Sequence, residues 1–398
     1  MATFFQPQLD ISLYQSFTRI NRMEQIRDYT LIIPTYNRKY LFKGLISHLS
    51  AKRVGFKILV LDSSEDMQKK ENRLVYEKSG LDINYIEYNN EINPIVKFHD
   101  GLKRVDTKYM SFCADDDLLL TDSIPDCIEF LEKNADYVAC HGYYLNIGNE
   151  IKKEEYNIAL EYGSPSLDGE TFEARVLQLL TNYQAIFYAV FRSGVIVDCF
   201  DVALNIDSNA AMYRELFTGI APLVSGKVKR LELCYYVRAR QTYVPSGEYP
   251  GWEPSLWFQN DPEGFVQAFV KYREILKKFI NERANHKIAD LDKILSLLHS
   301  IYFIKSIDPS HIQRILQRDL KIDILAPQKE KIAFVLWLQH CTRILYHKFF
   351  FMGEYLIRQK SNHKGSFIFK ITKNISKSIV NQSVLIDIEN YLLNFDRL

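Results

Sequence analysis

Tyr29–Arg38, YTLIIPTYNR, is a β-branched apolar run stopped by Pro34, the pattern of a buried strand. LFKGLISHL follows, with Leu41, Leu45 and Leu49 one helical turn apart. Phe56–Asp62, FKILVLD, is a second buried strand, and it ends on a carboxylate. A polar helix and Ile83–Tyr88 come next. PIVKFHDGLKRV then reads as a helix with Pro94 in its first turn, and Lys108–Cys113 as the following strand. This alternation predicts an α/β fold with a mostly parallel sheet flanked by helices. Ligands of such sheets bind beyond the carboxyl ends of the strands. Pro34–Arg38, Asp62–Ser64 and Asp115–Asp117 all fall at that end.

The remaining chain changes character twice. Residues 149–168 are polar and turn-rich, a connecting excursion, and Thr171–Arg240 reads as helix, short strands, helix and a final strand. From about Gly251 the apolar spacing is helical, in FVQAFVKYREILKKFI, LDKILSLLHSIYFI and stretches around 311–319, 331–360 and 380–395. The expected division is an N-terminal arm over 1–27, an α/β domain over 28–250 and a helical C-terminal domain over 251–398. No apolar run approaches the ~20 residues of a membrane-spanning helix. The N-terminus lacks the basic start and apolar core of a signal peptide.

Composition adds a charge asymmetry. The net charge of +1 combines a net of −6 over residues 1–250 with +7 over 251–398, so the halves face different partners. Residues 326–378 hold ten Lys+Arg against two acids, interleaved with aromatics such as Phe334, Trp337, Tyr346 and Phe349. Such a segment suits an anionic membrane surface, or is a helical core with a solvated basic face. Nucleic-acid binding would need a groove-reading motif, and none is seen. The six cysteines are scattered with no CxxC pair, which argues against zinc or disulfide frameworks and for a reducing cytoplasm. A seat on the inner face of the plasma membrane and a homo-oligomer are both left open.

The triplet Asp115, Asp116 and Asp117 is the sharpest chemical signal. Three adjacent carboxylates after a buried strand repel one another and need a cation or several hydrogen-bond donors. Acids at the start of a helix beginning near Thr121 are the plainer reading. A hard divalent ion, Mg²⁺ or Mn²⁺, is the functional one, since it prefers carboxylate oxygen.

LIIPTYNRKYLFKGLISHL, ILVLDSSED and YMSFCADDDLLL, in this order and spacing, resemble GT-A fold (Rossmann-like) glycosyltransferases of the family 2 type, in the bacterial subgroup with a triple-Asp DxD motif. The likeness spans residues 28–245 and leaves out the helical tail. It implies an inverting enzyme that moves a sugar from a nucleoside diphosphate, a UDP-sugar first among them, to a hydroxyl of a glycan or lipid-linked glycan. It implies that Pro34, Thr35, Tyr36, Asn37 and Arg38 enclose the base and ribose, and that Asp62, beside Ser63, accepts a hydrogen bond from the base. Asp62 could instead cap the following helix. Asn93 and Lys97 stand where the family places a basic residue facing the nucleotide. Asp117 becomes the leading metal ligand with Asp116 and Asp115 in the set, Asp115 lying nearer the ribose. Arg238 and Arg240 fall near the phosphates. Glu215 matches the acid that deprotonates the acceptor, with Asp207 in reserve. Here Arg214–Glu215–Leu216 departs from the family's Glu-Asp, and a salt bridge from Glu215 to Arg214 or Arg230 is the structural alternative. A nucleotidyltransferase also uses paired aspartates but carries a glycine-rich basic loop after the first strand, and PTYNRKY has no glycine. A non-catalytic nucleotide-binding module is the third reading.

Overall fold

The computed structural model describes residues 26–149, 155–162, 165–207, 209–239, 254–284, 288–306, 354–360, 366–372 and 379–396. Nearly all of the N-terminal arm, Arg240, the stretch 311–319 and most of the basic 326–378 segment lie outside them.

Tyr29–Thr35 (β1) is the central strand. Leu31 and Ile33 enter one hydrophobic core and Ile32 the other, so both faces are covered. Lys39–Lys52 (α1) crosses over to Lys57–Asp62 (β2), which pairs parallel with β1 and sets Thr35 opposite Asp62. The helix buries Phe42, Leu45, Ile46 and Leu49 and ends on Arg53 in the left-handed region. Asp66–Glu77 (α2) leads to Ile83–Glu87 (β3), parallel to β2. Pro94–Leu102 (α3), with Pro94 in its first turn as expected, carries the chain back to Tyr109–Phe112 (β4) on the other edge of β1. Strand order therefore reverses between β1 and β4. A crevice opens beyond the strand ends at such a reversal.

Beyond β4 the sheet is mixed. After the short strand Asp117–Leu119 (β5) comes the helix Ile124–Lys133 (α4). β5 pairs antiparallel with Lys227–Ala239 (β9), and β9 runs parallel to Tyr137–Asn149 (β6). Val190–Arg192 (β8) is antiparallel to both β4 and β6 and joins the two halves. Glu155–Tyr162 (β7) pairs antiparallel with β6. The excursion read over 149–168 thus contains a strand, whose alternation of Tyr156 and Ile158 toward the core is short and set among polar residues. Helices Phe172–Thr181 (α5), Ser193–Ala203 (α6), Ala211–Ile220 (α7) and Pro222–Ser225 (α8) cover the second face.

The C-terminal region is helical in Pro254–Asn260 (α9), Pro262–Arg283 (α10), Leu291–Ser306 (α11) and Gln382–Asp396 (α12). Tyr272, Leu276, Phe279 and Ile280 of α10 share the core formed by α5–α8. α12 returns to α1, where Tyr391 meets His48 edge-on at 6.0 Å and Lys52 pairs with Asp387. The helical reading of 331–360 is corrected over its last residues. Glu354–Lys360 (β10) and Ser366–Thr372 (β11) form an antiparallel pair, and β11 extends the sheet alongside β7. Among the described residues no helix is long and apolar enough to cross a membrane.

Candidate active site

The loops after β1 and β2 are clipped together at the crevice. Asn37 adopts a left-handed backbone, φ 52°, which asparagine tolerates better than most residues. Its N–H donates to Ser64 Oγ at 2.8 Å, and its Oδ1 accepts from the Glu65 N–H at 2.8 Å. Lys97 reaches in from α3 and donates to the Thr35 carbonyl at 3.2 Å and to Ser63 Oγ at 2.7 Å. Burial pulls its amine down to about 8, against the charges of Asp115 and Asp62 that favour the ammonium. Tyr36 is half exposed on this rim.

Asp62 is fully buried and already well supplied. It accepts from the Ser64 N–H at 2.7 Å, from Asn72 Nδ2 at 2.8 Å and from the Tyr85 hydroxyl. Its first task is therefore to shape the loop after β2, and a base edge would have to join three existing donors.

The acidic triplet does not start a helix; Asp115 and Asp116 lie in the gap between β4 and β5, and Asp117 is the first residue of β5. Its three carboxylates have three different surroundings. Asp115 is buried, accepting from Thr35 Oγ1 at 2.7 Å and from Arg38 Nη1 at 3.2 Å. Burial, helped by the neighbouring charge of Asp116, pushes it up to about 7, while Arg38 and Thr35 hold it down. Asp116 is partly exposed and pairs with Arg38 Nη1 at 3.0 Å. Asp117 accepts from the Tyr236 hydroxyl at 3.0 Å, and that hydroxyl accepts in turn from the Ala114 N–H at 3.1 Å.

Among the described residues no three His, Cys, Asp or Glu side chains converge as a metal site. The set still fits an ion of the Mg²⁺ or Mn²⁺ kind, which usually takes only one or two protein carboxylates and completes its shell with substrate phosphates and water.

The far wall comes from β9 and α7. Register places Arg238 of β9 opposite Asp117 of β5. Arg238 pairs with Glu161 of β7 at 3.4 Å, and its charge also reaches Glu215. Glu215 accepts from the Tyr183 hydroxyl at 2.9 Å. Burial raises its pKa, while Tyr183 and Arg238 lower it. Neither anticipated salt bridge holds it. Arg214 donates to the Ile206 carbonyl at 2.8 Å and to Asn93 Oδ1 at 3.1 Å, and Arg230 pairs with Glu232 at 3.0 Å. Asn93 is thus the N-cap of α3, also accepting from the Ile95 N–H, and a latch to α7. Asp207 is exposed, its carboxylate taken up by an Asx turn with the Asn209 N–H at 2.9 Å.

Pro34–Arg38, Asp62, Ser63, Lys97 and the triplet therefore gather around one crevice, with Arg238 in register opposite Asp117. Sequence reasoning gave no role to Tyr236 or Tyr183. Tyr236 sits two residues from Arg238, on the same face of a strand, and that period could have found it. Tyr183 lies between α5 and a short turn, with no sequence pattern to mark it.

Residues 30–200 match the family model of glycosyl transferase family 2, over the strands that carry the rim. The resemblance read from the motifs is borne out by that match. Among solved structures, the chain is similar to S. aureus TarS 1-349 in complex with UDP-GlcNAc, at 17% identity and a TM-score of 0.49, covering 74% of this chain and 76% of that one. The complex of the same protein with UDP gives 16% identity and a TM-score of 0.48, covering 75% and 77%. The mannosyltransferase PcManGT from Pyrobaculum calidifontis, in complex with GDP-Man and Mn²⁺, gives 14% and 0.37, covering 76% and 91%. No curated protein matches the chain.

Proposed function

Starting from residues 30–200 as a glycosyl transferase family 2 domain, we propose that the crevice between β1 and β4 binds a nucleoside-diphosphate sugar and that Glu215 drives its transfer to an acceptor hydroxyl. The observation that carries this reading is the convergence of three strand ends on one rim, with Arg238 in register opposite Asp117.

Pro34–Arg38 and Ser63 line the nucleoside side, supported from below by Asp62 and Lys97. Asp115 lies toward the ribose. Asp117 and Asp116 are the carboxylates that would hold Mg²⁺ or Mn²⁺ together with the diphosphate, and such an ion supplies positive charge to the departing diphosphate. Arg238 adds its own charge on the same side. Glu215, its pKa raised by burial, takes the proton of the acceptor hydroxyl. The acceptor oxygen bonds to the anomeric carbon as the bond from that carbon to the diphosphate oxygen breaks. Attack from the face opposite the leaving group inverts the anomeric centre. The acceptor class is a glycan or lipid-linked glycan, brought from the cytoplasmic side, with the basic 326–378 segment as its membrane contact.

A panel of nucleotide sugars with Mn²⁺, scored by thermal stabilisation, tests this reading. One class of UDP-, GDP- or dTDP-sugar, present at ~100 times its Kd, should stabilise the fold by about 2.7 kcal/mol. A panel in which no nucleotide sugar or free nucleoside diphosphate shifts the transition contradicts it.

A further inference from the structure

The acidic triplet brings its own cation. Arg38 Nη1 lies 3.2 Å from Asp115 Oδ1 and 3.0 Å from Asp116 Oδ2. The guanidinium side chain is 18% exposed, so the pair is only partly screened by water. Arg38 leaves from the β1 loop that Asn37 pins to Ser64 and Glu65, whereas the two carboxylates leave from the loop between β4 and β5. The ion pairs therefore span the crevice from one lip to the other. One positive charge serves two carboxylates, and the charge of Asp117 acts on it as well.

We propose that Arg38 is the resident counter-charge of the acidic site, competing with the divalent ion for the same carboxylates. This rests on the sugar-transfer reading above and adds an order of events to it. An ion arriving alone must break two charge-assisted hydrogen bonds and leave a guanidinium beside it. An ion arriving with a nucleoside diphosphate meets a smaller obstacle, because the diphosphate offers Arg38 a new anionic partner of the bidentate kind that guanidinium favours. Metal and nucleotide affinities are thereby coupled, and the coupling is reciprocal.

The test is Mn²⁺ binding to the full chain, read from the free-ion electron paramagnetic resonance signal, with and without UDP. The proteins are the wild type, Arg38→Met, Arg38→Gln and Arg38→Lys. Without UDP, Arg38→Met and Arg38→Gln should bind Mn²⁺ about tenfold more tightly than the wild type, a partly buried charge having been removed from the site. Their metal-free melting temperatures should fall, and UDP should improve their Mn²⁺ affinity less than it does for the wild type. Arg38→Lys keeps the charge and should stay near the wild type without UDP, while UDP improves its Mn²⁺ affinity less because an ammonium lacks the bidentate fork. Two neutral variants, checked by circular dichroism, guard against one misfolding. Equal or weaker Mn²⁺ binding by both folded neutral variants overturns this inference while leaving the transfer reading intact, provided the wild type binds Mn²⁺ with UDP. Absence of Mn²⁺ binding by every protein with UDP, GDP and dTDP each supplied in turn overturns both.

Discussion

The buried carboxylates of this molecule have different electrostatic surroundings. Asp62 is fully buried with three hydrogen-bond donors, so its carboxylate needs nothing more from a ligand. Asp115 is also buried but has a neighbouring acid, and it is pushed up to about 7. Glu215 is raised by burial and held down by one hydroxyl and one distant cation. A base works only when deprotonated, so its activity falls as pH drops below its pKa. Tyr183→Phe removes an influence that lowers this pKa. The acid limb of the kcat/KM profile for donor turnover should therefore move to higher pH, and activity at pH 6 should fall more than at pH 8. A uniform loss with an unmoved limb would mean that Tyr183 only props up the fold. Asp62 and the triplet were legible in the sequence because they follow apolar runs, whereas Glu215 was read only from the family resemblance. Their partners were not, because Tyr183, Tyr236 and Arg38 reach them from elements remote in the chain.

At the level of elements, the strands between Tyr29 and Phe112 could be read directly. Each is bounded by a turn signal and alternates with a helix of clear period. The short strands β5 and β8 could not, since three residues carry no period and their partners come far later or earlier in the chain. β10 and β11 belong to the same class, because a paired strand edge is a property of its neighbour. The long pairing of β6 with β9 matters most for the site, as it delivers Tyr236 and Arg238. Its register is irregular between His141 and Tyr143, and a Cβ on Gly142 would sit 2.3 Å from the Leu233 carbonyl oxygen. The strands approach there as closely as they do because residue 142 has no side chain. Gly142→Ala should cost about 1–3 kcal/mol, from overpacking against backbone that has no rotamer to change. Urea unfolding should show the lower midpoint with an unchanged slope, and an unshifted midpoint would mean that the two strands part easily.

Over the whole molecule, the C-terminal elements are structural partners of the sheet. α10 and α11 complete one core, and α12 closes back on α1 beside the first crossover. Helical periodicity located these segments but could not say what they cover, since an amphipathic face reads the same whichever surface it meets. Their placement gives the far wall its backing: Tyr302 of α11 meets Tyr183 edge-on at 5.3 Å, and Tyr183 holds Glu215. The central claim is that this wall and the strand-end rim form a single site for sugar transfer. Glu215→Gln in the full chain tests it most directly, with donor turnover and UDP affinity both measured in Mn²⁺ using the nucleotide sugar that stabilises the wild type. Turnover should fall by roughly 10²–10⁴-fold, the usual contribution of a general base, with UDP affinity unchanged. Turnover at the wild-type rate in a folded variant would contradict the account.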